Sequence, residues 1–164
     1  MIKRWMALAL WAPWVVFAQA SETITVAGQV QQERTYSVSE LLAFPPSKIT
    51  TITFPSKNSS SGATSLRGVR IAVLIEEAGL VQADRNTWKN LLVSAQAQDG
   101  YRVVFSWSEL TNTPVGDQAL VVFERNGQPL PEREGRLALY SGADKHQGPR
   151  TVRQVKRLVV KSFE

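Results

Sequence analysis

Leu91-Leu92-Val93-Ser94-Ala95-Gln96-Ala97 and Arg102-Val103-Val104-Phe105, separated by Gln98-Asp99-Gly100-Tyr101, decide the fold class. The first run is largely apolar and the second alternates. Asp99-Gly100 between them supplies the two residues that best tolerate positive φ in a tight hairpin turn. Strands joined this way are antiparallel neighbours. A parallel pair would need a crossover of a dozen or more residues, and the chain leaves no room for one here.

Outward from this hairpin the same signals recur. Thr23–Ala27, Thr35–Val38, Lys48–Phe54, Ala119–Phe123, Leu137–Tyr140 and Val155–Val160 read as strands, and Asn126-Gly127 is a second turn signal. Helical signals are fewer. Ser37-x-x-Glu40 is a capping box opening a short helix over Ser39–Phe44, which Pro45-Pro46 stops. Val69–Ala78 reads as the best helix, with Gly79 as its stop, and Ser106-x-x-Glu109 is another capping box, followed by a turn around Pro114-Val115-Gly116. Ser56–Ser65 is a polar loop. Strands outnumber helices and no linker interrupts the pattern. The expectation is one α+β domain over residues 21–164, its sheet mixed and mostly antiparallel.

The first residues carry a different message. Met1-Ile2-Lys3-Arg4 precedes an apolar run from Trp5 to Phe17 and then Ala18-Gln19-Ala20. A positive start, a short hydrophobic run and an A-x-A site make a cleavable signal peptide over residues 1–20, with cleavage at about Ala20. The run is shorter than the roughly 20 apolar residues a spanning helix needs, so the mature chain is expected in the periplasm or outside the cell, not spanning a membrane. Cleavage would remove both methionines, Met1 and Met6, along with Trp5, Trp11 and Trp14, leaving Trp88 and Trp107.

Composition excludes several chemistries. The chain has no cysteine, hence no disulfide, thiolate nucleophile or Cys metal ligand. Its one histidine, His146, rules out a His-rich metal site, and a Ser-His-Asp triad would have to use it. The net charge of +5 falls by two when Lys3 and Arg4 leave, and no clustered basic run points to nucleic acid. No Gly-rich phosphate loop, H-E-x-x-H or G-x-S-x-G pattern is present. One stretch concentrates chemistry: Ser141-Gly142-Ala143-Asp144-Lys145-His146-Gln147-Gly148-Pro149-Arg150-Thr151-Val152-Arg153. Backbone N–H groups, guanidinium forks and a carboxylate in one loop can converge on a single polar ligand, although a solvated turn has the same composition.

Leu66-Arg67-Gly68-Val69-Arg70-Ile71, followed by Leu74-Ile75-Glu76-Glu77-Ala78-Gly79, resembles the G-V-x-L-x-x-L-L-x-x-A-G segment of the molybdopterin-binding domain of the sulfite oxidase family. Asp99-Gly100-Tyr101 resembles that family's hairpin and Glu109-Leu110 its short helix. Asn126-Gly127-Gln128-Pro129-Leu130-Pro131 with Gly135-Arg136-Leu137 is similar to its N-G-x-P-L-P run, and Arg150–Leu158 to its closing strand. The resemblance covers about residues 23 to 162, in order. It implies the fold and a pocket for a pterin or molybdopterin.

In the family's catalytic members a cysteine thiolate ligates molybdenum. The corresponding region here, Ile52–Thr64, is a Thr/Ser/Asn stretch without sulfur. That departure resembles small exported members of the fold that bind pterins and report to a membrane partner, often one linked to cyclic di-GMP. On this resemblance Asp144 would pair with the pterin's guanidine-like edge, and Arg150 and Arg153 would hold its exocyclic oxygen or an anionic tail. His146 would hydrogen-bond the ring, Trp107 or Tyr101 would stack on it, and Arg67 and Ser141 complete the candidate set. A binding module without turnover is thus expected, which leaves enzyme status open. The alternatives are a molybdopterin-dependent periplasmic oxidoreductase or its accessory subunit, and a partner-only protein with a vestigial pocket.

Overall fold

The computed structural model describes residues 22–55, 62–81, 88–146 and 148–163. The expected signal peptide, most of the Ser56–Ser65 loop and Gln147 lie outside these residues. Ten strands and four short α-helices are present among those described.

Two sheets face each other. The first has the order β2 (Arg34–Ser37), β1 (Thr23–Gly28), β10 (Val155–Ser162), β5 (Leu91–Ala97) and β6 (Arg102–Ser106). The second runs β3 (Ile49–Pro55), β4 (Ala63–Arg70), β7 (Ala119–Arg125) and β8 (Gln128–Pro129), with β9 (Ala138–Ser141) also paired to β7. Among the named strands only β1 and β10 pair in parallel; the sheets are otherwise antiparallel, and the α+β expectation holds. The hairpin that opened the reading forms as expected, with Ala95 opposite Val103 and Val93 opposite Phe105.

Burial follows the pattern of each strand. In β5 buried and half-buried residues alternate strictly, because one face meets the core. In β7 the run Ala119–Phe123 is buried at every position. Ala119, Val121 and Phe123 enter the main core between the sheets, while Leu120 and Val122 join Ile52, Leu66, Leu130 and Ala138 in a smaller apolar cluster on the other face. A strand buried on both faces reads as a continuous apolar run.

The helices α1 (Val38–Leu42), α2 (Ile71–Glu77), α3 (Trp107–Asn112) and α4 (Pro114–Gln118) sit at strand ends. Ser37 and Glu40 form the expected capping box on α1. Three expectations are corrected. Gly68, Val69 and Arg70 belong to β4, not to the helix, which starts only at Ile71. A bulge between Arg67 and Gly68 brings β4 against β7 so closely that a Cβ at Gly68 would lie 2.2 Å from the Val121 carbonyl oxygen. Ala63–Ser65, expected in a loop, is paired in β4 with Thr53–Pro55 of β3. Pro114-Val115-Gly116, expected as a turn, is the start of α4, which Thr113 caps through the Val115 N–H. There a Cβ on Gly116 would fall 1.9 Å from the Leu110 carbonyl oxygen, so α3 and α4 can meet only at glycine. Among the described residues no helix is long and apolar enough to cross a membrane.

Candidate functional site

A cleft of about 510 Å³ opens where the ends of the two sheets meet. Three stretches build it. The β5–β6 hairpin contributes Ala97, Asp99 and Tyr101; the loop before β10 contributes Gly148, Thr151 and Arg153; Phe54, Arg125, Arg133, Glu134 and Tyr140 come from the second sheet and its connections. Aromatic rings and guanidinium groups dominate this lining, which suits a flat, hydrogen-bonding, partly anionic ligand.

The cleft floor is held by a shared oxygen. Arg125 Nη2 donates to Glu134 Oε2 at 2.7 Å and to the Tyr140 hydroxyl at 2.6 Å, and that hydroxyl donates to the same Glu134 oxygen at 2.6 Å. The Arg125 guanidinium also lies 5.4 Å from the Tyr140 ring centroid. Glu134 is only 4% exposed, so its charge depends on these two donors. Burial, reinforced by the neighbouring carboxylate, pushes the Tyr140 hydroxyl well above the usual phenol range. It stays protonated and donating at any physiological pH.

A second cluster, termed the rim, is carried by the same loop that supplies Gly148, Thr151 and Arg153, beside the cleft lining and not in it. Arg150 donates through Nε to Asp144 Oδ2 at 2.9 Å and through Nη2 to Asp144 Oδ1, while Nη1 donates to Glu109 Oε1 at 2.8 Å. Ser141 Oγ donates to Asp144 Oδ1 at 2.8 Å. The guanidinium sits 4.5 Å from the centroid of Phe105. Hydrogen bonding to Arg150 holds the Asp144 carboxyl below the usual carboxylate range, with Ser141 adding to the effect against the opposing cost of burial.

The structure therefore divides the sequence candidates. Tyr101 and Arg153 line the cleft. Ser141, Asp144 and Arg150 meet one another at the rim, where both Asp144 oxygens already accept hydrogen bonds. The Tyr101 hydroxyl donates to the Pro149 carbonyl at 2.6 Å and ties hairpin to loop. His146 is exposed in the loop. Trp107, 2% exposed, is a core residue packed edge-on against Trp88 at 6.3 Å, away from the cleft lining. Arg67 pairs with Glu124 and covers the Phe123 ring at 5.6 Å, likewise outside the lining. Sequence reasoning missed Phe54, Arg125, Arg133, Glu134 and Tyr140. Another groove, of about 390 Å³ beside α2, α3 and α4, is lined by Arg70, Glu76 and Asp117 among others and holds none of the candidates.

A family model described as the oxidoreductase molybdopterin binding domain matches residues 11–163. The chain belongs to this family. A solved structure with the same fold is the sulfane dehydrogenase SoxCD from Paracoccus pantotrophus, at a TM-score of 0.61 and 18% identity. The alignment covers 92% of this chain but 41% of that one, so the chain spans well under half the length of the dehydrogenase. No curated protein sequence matches.

The family implies a molybdopterin, and the cleft meets the two halves of that group differently. Its organic half fits: Phe54, Tyr101 and Tyr140 offer ring faces and edges, and Arg125, Arg133 and Arg153 offer cations for an oxyanion. The metal half does not. In the family's catalytic members molybdenum is held by a soft thiolate, and this chain contains no cysteine. Phe54, a cleft residue, lies inside the Ile52–Thr64 segment where the resemblance places that ligand.

Proposed function

We propose that this member of the molybdopterin-binding domain family is an exported pterin-binding module that works by recognition, without turnover, and reports its ligand to a membrane signalling partner of the kind linked to cyclic di-GMP. The observation that carries the reading is the cleft's composition. Its lining sets three aromatic rings and three arginines against two carboxylates, Asp99 and the Arg125-paired Glu134, with a phenylalanine in the segment where an oxo-transfer enzyme of the family has its thiolate. The apolar run before β1, with its A-x-A site, supports export.

Within the cleft, Phe54 and Tyr101 are the stacking surfaces, and Arg153, with Arg133, takes the exocyclic oxygen or an anionic tail. Asp144 serves through Arg150, not as a direct acceptor from the ring. Thermal denaturation with tailless 6-hydroxymethylpterin and anionic 6-carboxypterin tests the reading. A ligand at about 100 times its Kd adds roughly 2.7 kcal/mol to stability. Both pterins are expected to raise the melting temperature, the carboxylated one more. Failure of both at millimolar concentration would favour a partner-only protein. Expression in a host that makes molybdopterin separates the enzyme alternative: molybdenum at about one atom per chain would establish it.

A further inference from the structure

Glu109 is placed to complete a capping box on α3. Its backbone N–H does donate to Ser106 Oγ at 3.0 Å. The carboxylate, however, is directed to Arg150 instead. Directed at a partner 41 residues along the chain, the carboxylate serves a purpose other than closing the local cap.

That purpose is legible in what surrounds Arg150. Its three polar links, to Asp144 twice and to Glu109 once, and its seat over Phe105 fix one point of the loop between β9 and β10. Two residues on, Val152 exchanges both backbone hydrogen bonds with Leu139, at 2.9 and 2.8 Å, and fixes a second point. Thr151 N–H closes on the Gly148 carbonyl at 2.9 Å, and Pro149 is held by Tyr101. Gly148, Thr151 and Arg153 are the wall that this loop presents to the cleft. Arg150 and Glu109 do not line the cleft themselves.

We infer that Arg150 and Glu109 are positioning residues: their clamp, anchored on α3, sets the distance of the Gly148–Arg153 wall from Tyr101 and Phe54 and so determines which flat ligands enter. This deepens the pterin reading and rests on it. A ligand gains affinity when the wall is ordered before binding, because the ordering cost is then not charged to the complex. The clamp's partners sit on different elements, so the link joins the cleft to α3 as well as to the loop.

Glu109→Gln in the full chain tests it, since this change removes one charge at a residue that does not line the cleft and leaves the Asp144 pairing in place. Calorimetry with 6-carboxypterin is expected to show affinity reduced by about fivefold or more, with the fold retained. Arg150→Lys, which keeps the charge but loses the planar fork, is expected to weaken binding as well. Amide exchange supplies the readout that a general loss of stability would not give. In free Glu109→Gln, exchange at the Thr151 amide, which donates to the Gly148 carbonyl, quickens while β5 and β10 stay protected; saturating pterin slows it again. Wild-type binding with Glu109→Gln within twofold of it would overturn the inference. If the wild type bound no pterin, the functional reading would fall first, and exchange alone would judge the clamp: an unchanged Thr151 amide in the variant would refute it.

Discussion

At the cleft floor, Arg125 and Tyr140 share one oxygen of a single carboxylate, Glu134; at the rim, Arg150 divides its donors between two carboxylates, Asp144 and Glu109. The residue types are nearly the same, but the surroundings are not. The arginines are alike, Arg125 at 29% and Arg150 at 25% exposed, but the carboxylates differ: Glu134's side chain is 5% exposed, whereas Asp144 and Glu109 are 14% and 28% exposed. A buried charge that loses its partner has no water to turn to, while a rim charge is partly rescued by solvent. The floor therefore acts mainly on stability. The rim acts mainly on the shape of the wall beside the ligand.

The largest effect expected from this contrast is at Arg125. Arg125→Met leaves the buried Glu134 carboxylate without its cation and with only the Tyr140 hydroxyl as donor, and is expected to cost about 3–5 kcal/mol in urea denaturation. A loss below about 1 kcal/mol would mean that Glu134 is solvated and the floor is no different from the rim. Next comes Tyr140→Phe, which deletes one donor to Glu134 but keeps the ring and the Arg125 pair; about 1–3 kcal/mol is expected from the same titration. Arg150→Gln should fall lower, near 1 kcal/mol, because solvent and Ser141 still reach Asp144. If Arg150→Gln destabilised more than Tyr140→Phe, the assignment of stability to the floor would be reversed.

The smallest effect is in pH. Asp144's folded carboxyl titrates below its unfolded range, around 3.9. The stability it contributes is therefore fully present above that unfolded value, and is lost as pH falls through the lower folded one. The gap in melting temperature between the wild type and Arg150→Gln should narrow as pH falls from 7 towards 3. Parallel curves would show that Asp144 is not held ionised by Arg150.

Much of the fold was legible because its signals are local. Asp99-Gly100, Asn126-Gly127 and the Ser37–Glu40 box each act within a few residues, and each formed where expected. Gly68 misled because a glycine before an apolar run serves either a helix start or a bulge, and only the approach of β7, more than fifty residues later in the chain, decides between them. The rim was partly legible for the same local reason: Ser141, Asp144 and Arg150 are near neighbours in the chain. The floor was not. Phe54, Arg125, Glu134 and Tyr140 converge through pairings between distant strands, and the 3₁₀ turn at Glu132–Glu134 buries only the last of its three charged side chains. Glu109 shows the reverse case, where a local motif was present but its side chain was used elsewhere.

The central claim, that this cleft takes a pterin ring without a protein-held metal, is tested most directly by titrating the purified full chain with 6-carboxypterin in a calorimeter and assaying molybdenum in the same preparation. Saturable binding near one pterin per chain, at negligible molybdenum, is the predicted result. Molybdenum at about one atom per chain, or no heat of binding from any pterin, would contradict it.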